Sequence, residues 1–177
     1  YQHGLMYLQE QLNQDKFDEP ELGWRAYALH VLARVQKAAI GDLRYLHDNY
    51  LRKLPTTLAQ AQLGAALARY GELNRAKEAF AVALDRSDAV WVRYGSPLRD
   101  RAALLTLLAE SGLWPERIPF LAEQTAAEFN QRRYASTQEQ AWLLLAANAL
   151  LKQPGRLQLT VDGQAMTADP FYLAPTV

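Results

Sequence analysis

Ser136-Thr137-Gln138-Glu139-Gln140-Ala141-Trp142-Leu143-Leu144-Leu145-Ala146-Ala147-Asn148-Ala149-Leu150-Leu151 is the stretch that decides the fold class. Ser136 followed three residues later by Glu139 is a capping box. The hydroxyl accepts from an orphan backbone N–H, and the carboxylate reaches back to the N–H of the cap. After it, Trp142 to Leu151 leave almost no polar face. A helix apolar all round has to be surrounded by protein. The reading is therefore a helix over 137–151, buried on every side, inside layered helices with an inner set packed on both sides.

The rest of the chain supports a helical design. Leu73, Ala76, Phe80, Ala83 and Leu84 fall on one face at three- and four-residue spacing, as do Leu43, Leu46, Tyr50 and Leu54. Helices are expected over 3–14, 22–36, 42–53, 57–70, 73–85, 98–111, 116–131 and 137–151. Thr57 with Gln60 fits a second capping box. Ser96-Pro97 fits an N-cap followed by proline at the first helical position, where the missing N–H costs nothing. Gly41, Gly71 and Gly112 stand where helices should stop, because glycine enters the left-handed cap without strain. Short links make neighbouring helices antiparallel. The expected class is all-α, built from antiparallel helix pairs.

The pattern changes after Gln153-Pro154-Gly155. Leu157 to Val161 alternates apolar and polar, Asp162-Gly163 is a hairpin-type turn, and Gln164 to Thr167 is a second short extended run. A lone hairpin is marginal in water. Residues 1–153 are thus expected to form a helical domain and 154–177 a β segment of an adjoining β domain. The one long connection among the helices is 86–97, which carries Trp91, Tyr94 and Gly95.

Composition narrows function. Lys+Arg and Asp+Glu both number 19, so the formal net charge is zero. A chain that neutralises nucleic-acid phosphates has a basic excess, and no cluster of Lys/Arg with interleaved aromatics is present. With no cysteine in the chain, disulfides, thiolate metal sites and Cys nucleophiles are excluded from it. The longest apolar run, Ala141 to Leu151, is too short to cross a bilayer core of about 30 Å, and membrane contact by this segment is not expected. No signal peptide opens the chain, which starts at Tyr1 without Met and reads as a mature or excised segment. His3, His30 and His47 show no ligand spacing, and HExxH, GxSxG and phosphate-loop motifs are absent. His30 reads as a packed, hydrogen-bonded core histidine, and Asp18/Glu19 as a solvated turn before Pro20. No metal, cofactor or catalytic residue is expected. Tyr94-Gly95-Ser96-Pro97-Leu98-Arg99-Asp100-Arg101-Ala102 is the most specific local stretch, and its plain reading is a helix start: cap, proline, mixed-charge first turn.

Leu63-Gly64, Tyr70-Gly71, Ala76, Phe80 and Ala83-Leu84 resemble a tetratricopeptide repeat, in which small residues let two helices approach and Phe fills the gap. A step of 34 residues upstream finds Leu29-His30 and, less well, Asp42 and Leu46. The same step downstream fails, because Pro97-Leu98 opens a helix where one should be under way. A helical-repeat adaptor that binds a partner protein or peptide is the alternative function on this reading.

Two stretches carry a further resemblance. Ser136-Thr137-Gln138-Glu139-Gln140-Ala141 with its apolar helix resembles a helix start near the end of the thioester domain of α2-macroglobulins. Tyr94 to Asp100, Arg25 to Ala33 and Leu54-Pro55 through Gly71 are similar to bacterial members of that family, in the same order. The resemblance covers roughly 20 to 153. It implies an α/α toroid, helix hairpins in a ring with inner helices lined by outer ones, whose chain then leaves into the strands of a β domain. It implies a non-enzymatic part of a large protease trap, with proteases and the other domains of the same chain as partners. In such a trap a protease cuts a bait region and a Cys–Gln thioester acylates a nearby nucleophile. It also implies a periplasmic, lipid-anchored parent protein. The thioester motif CxEQ is missing: the motif's cysteine would correspond to Thr137 if Glu139-Gln140 were its Glu-Gln, so those two are not that motif. The motif is expected upstream of the matched region, or the protein is a thioester-less paralogue. The residues expected to approach the thioester are Tyr94, Ser96, Arg99 and Asp100. A glycan-processing enzyme on an α/α toroid ranks last, since such enzymes need acidic residues converging in a central cavity, and Asp and Glu here fall mainly at turns and on polar helix faces.

Overall fold

The structure, a computed structural model, describes residues 1–13, 19–86, 95–152, 159–161 and 164–166. The described residues form α1 (Gln2–Leu12), α2 (Glu19–Arg34), α3 (Ile40–Tyr50), α4 (Thr57–Arg69), α5 (Leu73–Asp85), α6 (Pro97–Ser111), α7 (Ile118–Asn130) and α8 (Thr137–Leu151). Short 3-10 turns at Leu51–Lys53 and Pro115–Arg117 extend α3 and precede α7. Each expected helix is found. Strands β1 (Leu159–Val161) and β2 (Gln164–Met166) pair antiparallel with Val161 opposite Gln164, the register of the expected hairpin; its turn, Asp162-Gly163, lies outside the described residues.

The helix ends separate local from tertiary causes. Ser136 and Glu139 form the complete capping box, and Ser96 caps α6 with Pro97 behind it, both as the sequence predicts. Gly71 (φ +77) and Gly112 (φ +68) adopt the left-handed conformation that ends α4 and α6. Two expectations are corrected. The cap of α4 is Thr56, not Thr57: Thr56 has extended backbone, and its Oγ1 accepts from Ala59 N at 3.0 Å. Gln60 donates instead to Leu51 O. Gly41 stops nothing, since it lies in the first turn of α3. The chain turns earlier, at Gln36 with φ +58, where Lys37 N donates to Leu32 O in a Schellman-type end. A side chain in that conformation costs about 1–2 kcal/mol.

The helices lie in two rows. α2 packs on α4, α4 on α6 and α6 on α8, while α5 packs on α4 and α6, α3 on α2 and α4, and α7 on α6. Even-numbered helices thus form an inner row, backed by the odd-numbered ones. α4 divides two apolar cores. Its Leu63, Ala66 and Leu67 join α2 and α3, whereas Ala61 and Ala65 join Phe80 and the leucines of α6. Helices with neighbours on both flanks are buried almost all round, from Ala59 to Leu67 in α4 and over most of Leu98 to Ala109 in α6.

α8 does not meet its expectation. Only Glu139, Ala146 and Ala149 are buried, and Leu144 remains 71% exposed, with Leu145 and Leu151 exposed too. The reason is its place at the end of the inner row, with α6 on one flank and no further inner helix among the described residues on the other. At the opposite end, α2 leaves Trp24 and Tyr27 exposed.

Candidate functional site

The first turn of α6 meets the first turn of α8. Ser96 Oγ accepts from Arg99 N at 3.1 Å, as an N-cap should, and donates to Glu139 Oε1 at 2.5 Å. Glu139 Oε1 also accepts from Arg132 Nη1 at 2.8 Å, and its Oε2 accepts from Ser136 N at 2.6 Å. Arg132 continues to Glu128 Oε1 on α7, and the other oxygen of Glu128 pairs with Arg101 on α6 at 2.7 Å. One chain of polar contacts therefore leaves α6 at its cap and returns to it one turn on. Burial pushes the Glu139 carboxyl up, but the bonds from Ser96 and Ser136 and the Arg132 charge outweigh it and hold the group below its ordinary value.

Arg99 donates to Asp100 Oδ1 from Nε at 2.8 Å and from Nη2, and its Nη1 approaches Gln138 Oε1 at 3.4 Å. Burial raises the Asp100 carboxyl, opposed by the Arg99 charge, a bond to the Leu58 backbone and the Arg86 charge. Of the four residues singled out in the sequence, Ser96 and Arg99 are buried, at 9% and 7% exposure, and Asp100 is half-buried. Tyr94 lies outside the described residues. Gln138, Glu139 and Arg132, absent from the sequence reading of this site, complete it. The accessible part is a cleft of about 450 Å³ lined by Gly95, Ser96, Arg132, Tyr134, Gln138 and their neighbours. The Ser96 hydroxyl donates to a carboxylate that also accepts from two other donors, Arg132 and Ser136 N, which lowers its strength as a base.

The histidines lie elsewhere. His30 is packed between α2 and α4 at 5% exposure, bonded to the Gln62 backbone but with Nδ1 unpartnered among the described residues. Burial, then the Arg34 and Arg69 charges, lower its pKa from 6.5 to about 4. His47 lies 2.8 Å by Nδ1 from Asp48, which is held in turn by a two-pronged contact from Arg75. Among the described residues no three His, Asp or Glu side chains group as a metal site, and no helix is long and apolar enough to cross a membrane.

A double row of antiparallel helices, the inner row flanked by the outer and, among the described residues, open at both ends, is the architecture of an arc of an α/α toroid. No family model matches the chain. It is 36% identical to alpha-2-macroglobulin of Escherichia coli (strain K12) over 149 residues, which are 81% of this chain and 9% of that protein. It is 32% identical to alpha-2-macroglobulin of Xylella fastidiosa over 136 residues, 72% of this chain and 8% of that one. Among solved structures, Salmonella alpha-2-macroglobulin reacted with methylamine is similar with a TM-score of 0.73 at 33% identity, over 82% of this chain and 10% of that one. Native E. coli alpha-2-macroglobulin spanning domain MG7 to the C-terminus gives a TM-score of 0.69 at 34% identity, over 85% of this chain and 25% of that one. The chain is homologous to the bacterial alpha-2-macroglobulins, and it spans only 8–9% of the length of these curated relatives. These relatives favour the toroid over the tetratricopeptide alternative.

Proposed function

We propose that this chain is part of the thioester-type helical ring of a bacterial protease-trapping protein, and that it serves as scaffold rather than as catalyst. The observation that carries this is the joint match of sequence and helix arrangement to alpha-2-macroglobulins over four-fifths of the chain. Related structures are described as trypsin-activated and as activated by porcine elastase, which supports proteases as partners of the whole protein. The end helices of the inner row, α2 and α8, carry exposed large apolar side chains, Trp24 and Tyr27 on the one and Leu144 and Leu145 on the other. In this reading helices from the rest of the same protein close the ring over them. The β1–β2 hairpin begins the adjoining β domain of the 154–177 segment. The cysteine of any thioester comes from outside these 177 residues, which contain none. In this reading the start of α6, with Ser96, Arg99 and Asp100, is the part of the arc nearest to it. In this reading the parent protein is a periplasmic, lipid-anchored inhibitor.

The test uses the full-length parent protein, incubated with trypsin or elastase and separated by size. Protease activity eluting with the parent supports the reading. Protease eluting at its own size, with the parent merely digested, refutes it.

A further inference from the structure

Glu139 carries more than a capping box requires. Reaching back to the cap needs one oxygen, and Oε2 does that by accepting from Ser136 N. A capping glutamate commonly stands in solvent, yet Glu139 is only 4% exposed. Its second oxygen accepts from Ser96 Oγ and from Arg132. Ser96 is itself the cap of α6, so the order Arg99 N–H to Ser96 Oγ–H to Glu139 links two helix caps in series through one carboxylate. Bonds in such a chain polarise and strengthen one another. Arg99 Nη1 against Gln138 Oε1 adds a second, weaker tie between the same two helix starts. Arg132, Glu128 and Arg101 brace the arrangement from α7.

We infer that Glu139 is a positioning residue: its carboxylate fixes the start of α6, with Ser96, Arg99 and Asp100, against the α7–α8 corner, and so sets the reactivity of the thioester that the trap reading brings to this end of α6. The positioning stands on the geometry alone, whereas the effect on reactivity rests on the trap reading. Glu139→Gln is nearly isosteric and keeps an oxygen for the cap, but it removes the charge that Arg132 and Ser96 address. Ser96→Ala removes the link from the other side, and Ser96→Thr restores a hydroxyl that can both cap and donate.

The experiment uses the full-length parent protein, with amide hydrogen exchange and methylamine incorporation as separate readouts. Glu139→Gln and Ser96→Ala are each expected to speed exchange of the α6 first-turn amides, Arg99 and Asp100, by about tenfold, with α4 core amides unchanged. The double variant adds little, and Ser96→Thr returns to wild type. The same two variants shift the methylamine rate by about threefold or more, a change a merely structural cap would not make and Ser96→Thr would not show. First-turn exchange unchanged in Glu139→Gln overturns the positioning. Altered exchange with an unaltered methylamine rate overturns the link to reactivity. Wild-type protein that takes up no methylamine removes that link together with the thioester reading, and exchange alone then decides the positioning.

Discussion

Gly64 of α4 lies against the Phe80 ring of α5, and its replacement by alanine sets two effects of known size against each other. A Cβ built on Gly64 would stand 3.2 Å from both Cδ2 and Cε2 of Phe80, and 3.3 Å from Cγ. Helix propensity favours Ala over Gly in a helix interior by about 0.8–1 kcal/mol. Overpacking a tight core costs about 1–3 kcal/mol. The sign depends on whether the Phe80 ring can retreat by a few tenths of an ångström. It is fully buried, in a cluster with Ala61, Ala65, Ala83 and the leucines Leu104, Leu105 and Leu108, so little room is left. Gly64→Ala is therefore expected to destabilise by about 1 kcal/mol net. With Phe80→Leu the obstructing ring edge is gone, and Gly64→Ala should then stabilise by about 1 kcal/mol from propensity alone, a coupling of about 2 kcal/mol between the sites. Urea unfolding followed by far-ultraviolet circular dichroism on the four proteins of the cycle reads both numbers. If Gly64→Ala stabilises equally with and without the phenylalanine, the close approach of the two helices is wrong.

Other outcomes follow from the same packing. His30 is neutral in the fold, with its pKa lowered from 6.5 to about 4. It contributes stability that is full above pH 6.5 and is lost as pH falls toward 4, and a difference of about 2.5 units corresponds to about 3 kcal/mol. The acid limb of a stability–pH curve should be flatter in His30→Leu; an unchanged limb would count against the buried neutral state. Arg75→Gln should lower stability at low ionic strength and have less effect in high salt, because Arg75 joins Asp48 and Glu72 on the surface. Thr56→Ala should cost about 1 kcal/mol in thermal or urea unfolding and Thr57→Ala much less, since only Thr56 caps α4.

The features legible in the sequence were those set by bonds within one turn. Ser136 with Glu139, Ser96 with Pro97, and the glycines at 71 and 112 act through their own backbone neighbours, so spacing alone reveals them. Gln36 was hidden because nothing in its side chain announces a left-handed turn; Ala38, Leu43 and the packing of α3 on α2 impose it. The inner helices were hidden for a different reason. Gln60, Gln62 and Thr106 are polar side chains, yet all three are buried, Gln60 donating to Leu51 O and Thr106 to Ala102 O. Conversely α8 looked innermost, but among the described residues it has an inner helix on one flank only, and Leu144 and Leu145 stay exposed. At the candidate site the start of α6 was legible. Its bond to Glu139, 43 residues away, was not, because no local pattern encodes which carboxylate a capping serine will face.

The open flank of α8 gives the most direct test of the ring account. The chain has no cysteine, so Leu144→Cys introduces a single thiol into this region, and Lys77→Cys on the exposed side of α5 provides a reference. The measurement is the rate of thiol labelling at each position in the full-length parent protein, located by peptide mass. A closed ring predicts labelling at Leu144→Cys slower than at Lys77→Cys by roughly tenfold or more, since the thiol is reached only through local opening. Equal rates at the two positions would show that α8 faces solvent in the whole protein, and would contradict the account.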